Sequence, residues 1–140
     1  MERLLGLDIG GRRIGVALSD ELGMIASPVA TIDARGDVAG ELRKLIAKYN
    51  IAKLVVGLPV GMSGREGPQA AEVRSVADSL AKSLDIEMIY SDERLSSAVA
   101  EQALVSQGAR RDKRKQHIDS MAAAVILQGY LDNQRWKSGK

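Results

Sequence analysis

The sequence has 140 residues, 45% of them apolar, and this length and composition suit one globular domain. Its formal net charge of +2 is too small to indicate nucleic-acid binding by itself. It contains no Cys and one His, so disulfides, thiolate metal sites and His-rich zinc sites are excluded, and any metal would be held by oxygen ligands, which favours Mg²⁺ or Mn²⁺. No apolar run approaches the roughly 20 residues that cross a membrane, and the N-terminus lacks a signal-peptide layout, so a cytoplasmic protein without membrane contact is expected.

The first third of the chain predicts three strands. Residues 3–8 and 13–19 alternate on either side of a Gly-Gly turn, which is typical of a β-hairpin. Residues 24–32 predict a third strand. Pro28 has no N–H to donate, so it places this strand at the edge of the sheet or at a bulge.

Helical patterns alternate with strands after residue 36. Residues 37–50 predict a helix with Asp37 as its N-cap and Asn50 near its end. The continuous apolar run 53–58 predicts a strand buried on both faces, and a helix over 69–84 follows a loop rich in Gly and Pro. The stripes expected to face inward are Val38, Leu42, Leu45, Ile46 and Tyr49 in the first helix, and Ala70, Val73, Val76, Ala77, Leu80 and Leu84 in the second.

The remaining elements complete a mixed α/β fold. Residues 86–91 predict a strand, and residues 96–108 and 113–133 predict two helices. The order predicts a five-stranded sheet, antiparallel in its first three strands and then parallel through right-handed crossovers. Residues 1–134 are expected to form one domain and 135–140 a disordered tail. The buried stripe predicted for the last helix is Ile118, Met121, Ala122, Val125, Ile126 and Gly129, with Asp119 at its edge.

Three acidic positions are predicted to meet at one end of this sheet. Asp8 closes the first strand, Asp92 and Glu93 close the strand 86–91, and a helix packed on the sheet could aim Asp119 at the same strand ends. Clustered carboxylates raise one another's pKa unless a cation joins them. Two divalent ions held there could activate a water and stabilise the leaving oxygen in phosphodiester hydrolysis.

Each acid also has a structural interpretation. Asp8 could cap the turn that follows it, Asp92 could cap a turn or helix, and Glu93 could be a solvated side chain. Asp119 could form a salt bridge to a neighbouring Arg. The catalytic hypothesis therefore rests on the joint arrangement.

A basic run precedes and opens the last helix. Its members are Arg110, Arg111, Lys113, Arg114 and Lys115. Cations at a helix start oppose the macrodipole, but free N–H groups there attract anions, so the run is a candidate phosphate-binding surface. A solvated charged face is the alternative. Arg12, Arg13, Arg65 and Arg94 are candidates for the same rim.

Four segments together resemble the YqgF family of bacteria, which are ribonuclease H-like proteins related to Holliday junction resolvases and described as pre-16S rRNA nucleases. The segments read LGLDIGGRRIGVALSD, VVGLPVGMSGREGPQA, DERLSS and KRKQHIDSMAAAVILQGYL, and the resemblance extends from Leu4 to Leu131. Gly11 and Gly61 depart from the residues usual in the family's loops.

The resemblance implies a ribonuclease H-like fold, with metal-binding catalytic roles for Asp8, Glu93 and Asp119 and Asp92 as a further candidate. It implies a nuclease for structured RNA, acting in maturation of pre-16S rRNA on ribosomal precursor particles, as a monomer or homodimer. The alternatives are a resolvase of DNA junctions, a non-catalytic RNA-binding assembly factor, and a phosphate binder like the sugar kinases.

Overall fold

The computed structural model describes residues 3–59, 67–92 and 111–137. Five strands and three helices occupy these ranges, in the predicted order. The strands are β1 (Arg3–Ile9), β2 (Arg13–Ser19), β3 (Ala26–Asp33), β4 (Ile51–Leu58) and β5 (Glu87–Asp92), and the helices are α1 (Val38–Tyr49), α2 (Pro68–Leu84) and α3 (Arg111–Lys137). The helix predicted over 96–108 lies outside the described residues.

The five strands form one mixed sheet in the order β3-β2-β1-β4-β5. β1 pairs antiparallel with β2, and β2 with β3, whereas β1–β4 and β4–β5 are parallel. The predicted sheet is confirmed. The parallel strands β1, β4 and β5 have their carboxyl ends at the same end of the sheet, and β2 begins at that end.

Helices cover both faces of this sheet with side chains of different size. On one face α1 and α2 pack against large aliphatic residues such as Leu5, Leu7 and Leu54. On the other face α3 packs against Leu4, Ala17 and Val55. The strand β4, which lies between β1 and β5, is buried on both faces, as its continuous apolar run predicted, and Leu54, Val55 and Val56 are fully inaccessible.

Pro28 lies on the edge strand β3, and the register with β2 shifts between Val16 and Ala17, directly opposite it. Both parts of the expectation for Pro28 are confirmed, because the residue is at an edge and beside a bulge. Missing ladder hydrogen bonds cost nothing at such a position.

The ends of α1 also follow the sequence prediction. The Gly40 N–H donates to Asp37 Oδ1 at 3.0 Å, which satisfies one of the free N–H groups at the helix start. Asn50 ends the helix in the left-handed conformation with φ 54°. In α2, Val76 does not face inward as predicted, because its side chain remains 39% exposed.

The helix α3 is longer than predicted, and the side that it buries against the sheet differs from the predicted stripe. It begins two residues before the predicted start and continues to Lys137, so residues 135–137 are helical rather than part of a disordered tail. In the predicted stripe, Gly129 is exposed and Met121 and Val125 are half-buried. Among the α3 residues whose side chains the structure describes, 119–134, the buried ones are Ser120, Ala122, Ala123, Ala124, Ile126, Leu127 and Leu131. The side chain of Ile118 lies outside the described ones. Small residues face the sheet because the helix packs against it at very short range. No helix in the described ranges is long and apolar enough to cross a membrane.

Candidate catalytic site

Asp8 lies near the carboxyl end of β1, on the face of the sheet that α3 covers. It pairs with Gly15 of β2 in the antiparallel register. Gly6 shares the face of Asp8 because side chains alternate along a strand, and a methyl group built on Gly6 would lie 2.7 Å from Cβ of Leu127 in α3. The half-buried Asp8 side chain therefore faces the layer that carries Asp119.

Asp119 is held directly over the strand pair that contains Asp8. A methyl group built on Gly15 would overlap the main-chain carbonyl of Asp119 and lie 2.9 Å from the main-chain nitrogen of Ser120. Glycine at this position lets the backbone of α3 rest on the backbone of β2. Because Gly15 is the cross-strand partner of Asp8, the two aspartates are neighbours at one end of the same face.

Arg13 forms an ion pair with one of these aspartates, Asp119. Its Nε donates to Oδ2 of Asp119 at 2.7 Å, and the two side chains are 37% and 25% exposed. The Gly10 N–H donates to the carbonyl oxygen of Arg13 at 2.9 Å, which closes the turn between β1 and β2 and fixes where the Arg13 side chain begins. Arg13 is two residues from Gly15 on β2 and so shares its face.

The salt-bridge alternative considered for Asp119 is therefore realised, and it does not remove the acid from the site. Arg13 stands at the turn that follows Asp8, on the same face of the sheet. The guanidinium of Arg13 therefore places a positive charge beside the Asp119 carboxylate.

The donor set fits a hard divalent cation. Asp8 and Asp119 offer carboxylate oxygens, which are the ligands that Mg²⁺ and Mn²⁺ prefer. Oδ1 of Asp119 takes no part in the hydrogen bond from Arg13, which goes to Oδ2. Among the side chains that the structure describes, no three His, Asp or Glu residues come close enough to hold an ion by themselves. Asp8 and Asp119 are thus two candidate ligands for such a centre.

Several predicted site residues lie outside the described residues, namely Arg65, Glu93, Arg94 and Arg110. Asp92 is the last residue of β5 and is in register with Leu58 of β4. The basic positions Arg111, Lys113, Arg114 and Lys115 belong to the first turns of α3.

The start of α3 projects past the sheet. Asp119 lies over Gly15, near the carboxyl end of β1, and Leu127 lies over Gly6, so α3 runs antiparallel to β1. At a rise of about 1.5 Å per residue, the eight positions 111–118 extend about 12 Å beyond Asp119. The basic helix start therefore flanks the strand end that carries the acids.

Sequence reasoning missed the two glycines that seat α3. Gly6 and Gly15 were treated as ordinary members of alternating strands, although glycine inside a strand signals a bulge or a close backbone approach. The alanines at 122–124 permit a close approach of α3 to the sheet, and the structure shows that Gly6 and Gly15 are the strand positions it approaches. Arg13 was assigned to the nucleic-acid rim, and its contact with Asp119 was not predicted.

Comparison with known proteins gives matching results from sequence and from structure. Residues 2–133 match the family model described as "RuvX: Holliday junction resolvase". The chain is 46% identical over 136 residues to a protein of Bacillus cytotoxicus named "Putative pre-16S rRNA nuclease", covering 94% of this chain and 99% of the relative. A relative of the same name from Bacillus mycoides is 45% identical over the same shares of the two chains.

Two solved structures share the fold at low sequence identity. One is RuvC of T. thermophilus in complex with a Holliday junction substrate, with TM-score 0.56 and 12% identity over 94% of this chain and 95% of that one. The other is the Holliday junction resolvase of fowlpox virus, with TM-score 0.55 and 11% identity over 94% and 99%. The ribonuclease H-like fold implied by the resemblance is confirmed.

Proposed function

The chain belongs to the RuvX family, and on this premise we propose that it is a metal-dependent nuclease that hydrolyses phosphodiester bonds. One observation carries the proposal. The helix α3 seats Asp119 on Gly15, the cross-strand partner of Asp8, at the carboxyl end of β1. Binding sites in sheets with parallel strands gather at this end.

We assign the metal ligands to Asp8, Asp119 and Glu93. The resemblance to the family implies Glu93 as the third ligand and leaves Asp92, the last residue of β5, as an additional acid of the same motif.

The proposed ion is Mg²⁺ or Mn²⁺, which when bound would supply an activated water and stabilise charge on the leaving oxygen. The chain's own residues bring the ligands together. β1 positions Asp8, and the contact at Gly15 sets the height of Asp119 above the sheet.

We propose structured RNA as the substrate, in the maturation of pre-16S rRNA on ribosomal precursor particles in the cytoplasm. The support comes from the relatives of that name, which align over 99% of their length. The basic start of α3, together with Arg65 and Arg94, would contact phosphates, which gives affinity and salt dependence with little base specificity.

A DNA junction resolvase is the second candidate. It is favoured by the description of the family model and by the RuvC fold, which is shared over most of both chains. Such an enzyme is expected to act as a symmetric dimer, because a four-way junction offers two equivalent strands.

A parallel cleavage assay on precursor 16S rRNA and on a four-way DNA junction tests these proposals. With Mg²⁺, the full-length protein should trim the RNA. Asp8→Asn and Asp119→Asn should each lower the cleavage rate by more than about 100-fold, while RNA binding survives. A loss of about 100-fold is the most expected when a residue only hydrogen-bonds to a metal ligand, so a larger loss indicates a ligand itself.

Asp85→Asn is the matched control. Asp85 ends α2 in the left-handed conformation with φ 52°, which Asn also adopts readily, and it lies at the opposite end of the sheet from Asp8. Unchanged cleavage in both site variants would favour the non-catalytic RNA-binding factor. Symmetric cutting of the junction with intact precursor ends would favour the resolvase.

A further inference from the structure

The contact between Arg13 and Asp119 is a short charged interaction in the described part of the site. It is a direct hydrogen bond of 2.7 Å between a guanidinium Nε and a carboxylate oxygen, and the Asp119 side chain is only 25% exposed. The other Arg–Asp pair of the described residues, Arg35 with Asp33, is longer at 3.4 Å, and its side chains are 73% and 59% exposed. Partial burial weakens solvent screening of the Arg13 pair.

The guanidinium of Arg13 and a metal ion would compete for the Asp119 carboxylate. Oδ2 of Asp119 cannot be fully shared between the guanidinium and a cation, because both are positive and would repel each other across one oxygen. Arg13 begins at the turn closed by Gly10, so its side chain reaches Asp119 from the side of the sheet that holds Asp8. A cation that joins Asp8 to Asp119 must enter the same space.

We propose that Arg13 is a positioning residue that serves as an internal counter-charge for Asp119, and that a divalent ion must displace it in order to bind. This inference rests on the metal site proposed above. The ion pair stabilises the metal-free protein, in which Asp8 and Asp119 lie side by side. The free energy by which the ion pair stabilises the metal-free form is lost when the metal binds. The apparent affinity for the metal is therefore lower by the same free energy.

The sign of the effect separates this role from a simpler one. If Arg13 only oriented Asp119 for the ion, its removal would weaken metal binding. If it competes with the ion, its removal strengthens metal binding while lowering the stability of the metal-free protein. A residue that is merely structural would change the second quantity without improving the first.

The test is titration of the metal-free full-length protein with Mn²⁺, followed calorimetrically and by the electron paramagnetic resonance signal of free Mn²⁺, with no nucleic acid present. Arg13→Gln should bind Mn²⁺ about 5-fold more tightly than the wild type, at the low end of ordinary coupling between two ligands. Its metal-free melting temperature should fall, and saturating Mn²⁺ should raise that temperature by more than in the wild type.

Two further variants complete the experiment. Arg13→Lys keeps a cation beside Asp119, should retain the competition, and still reports on it if Arg13→Gln folds poorly. Arg35→Gln removes the exposed pair with Asp33 and should leave Mn²⁺ affinity unchanged.

The outcomes distinguish this inference from the proposed function. Mn²⁺ binding that is absent in the wild type, or unaffected by Asp119→Asn, overturns the metal site and this inference with it. Mn²⁺ binding that depends on Asp119 but is equal or weaker in Arg13→Gln leaves the metal site standing and overturns the competition alone.

Discussion

Replacing Gly15 with Ala tests how α3 holds the site together. The added methyl group would overlap the Asp119 carbonyl oxygen and approach Ser120 N to 2.9 Å. Both neighbours are main-chain atoms, so no side-chain rotation relieves the overlap. The helix must move away from β2 by on the order of 1 Å, since atoms in a packed interior cannot interpenetrate.

Two effects of this displacement can be estimated. Overpacking in a well-packed interior costs about 1–3 kcal/mol, which corresponds to a fall in melting temperature of roughly 3–12 °C for a chain of this size. A misplacement of about 1 Å at a catalytic group can lower the rate about 100-fold. Activity should therefore fall much further than the folded fraction at the assay temperature.

The assay combines thermal unfolding with the cleavage rate measured well below the melting temperature. Gly129→Ala is the matched control in the same helix, because a methyl group there meets nothing within 4 Å. It should stabilise the protein by about 0.5–1 kcal/mol, the usual gain from removing glycine from a helix interior. A Gly15→Ala variant with wild-type melting temperature and cleavage rate would refute the claim that this contact sets the position of Asp119.

Two further predictions concern the loop and strand ends at the opposite end of the sheet. Ser19→Ala should lower the free energy of unfolding by about 1–3 kcal/mol in denaturant titrations, because the buried Ser19 Oγ accepts a hydrogen bond of 2.8 Å from the Leu4 N–H; a variant of wild-type stability would show that this N–H finds another partner. Hydrogen bonds from the main-chain N–H groups of Ile25 and Met24 hold the pKa of Asp20 below its ordinary value of 3.8, so the charged form contributes stability above that pH and the contribution is lost as the pH falls below it. Asp20→Asn should accordingly be less stable than the wild type at pH 7, and the gap should close in melts below about pH 3.8; a gap independent of pH would contradict this assignment.

The sheet and the helices on its large-residue face were predictable from the sequence because their patterns are local. The uninterrupted run in β4 required burial on both faces, and Pro28 required an edge or a bulge. Asp37 and Asn50 marked both ends of α1, where capping depends on residue chemistry within one turn. None of these inferences needs knowledge of a partner distant in sequence.

The facing of α3 could not be predicted in the same way. Hydrophobic periodicity places Met121 and Val125 inward because they are large and apolar, whereas the structure buries Ala123 and Ala124. The reason lies in β1 and β2, where Gly6 and Gly15 let the main chain of α3 come very close to the strands. A pattern confined to one helix carries no information about the shape of the surface that receives it.

The placement of Asp119 near Asp8 was predictable from the sequence, whereas the arginine that contacts Asp119 was not. Asp8 and Asp119 could be placed near each other from strand ends and helix phase, because those rules are geometric. Which arginine contacts Asp119 depends on side-chain length and on the turn at Gly10, and the sequence offered several basic residues of equal merit.

The separation in sequence between Asp8 and Asp119 has a consequence for folding during synthesis. α3 is made after the whole sheet, and until it docks, the face formed by Leu4, Ala17 and Val55 has no cover from that helix. A chain released from the ribosome only as far as β5 contains Asp8 and Arg13 at their turn, with nothing resting on Gly15. The proposed site therefore arises only when α3 docks on the sheet, and until then the chain carries an apolar surface prone to association.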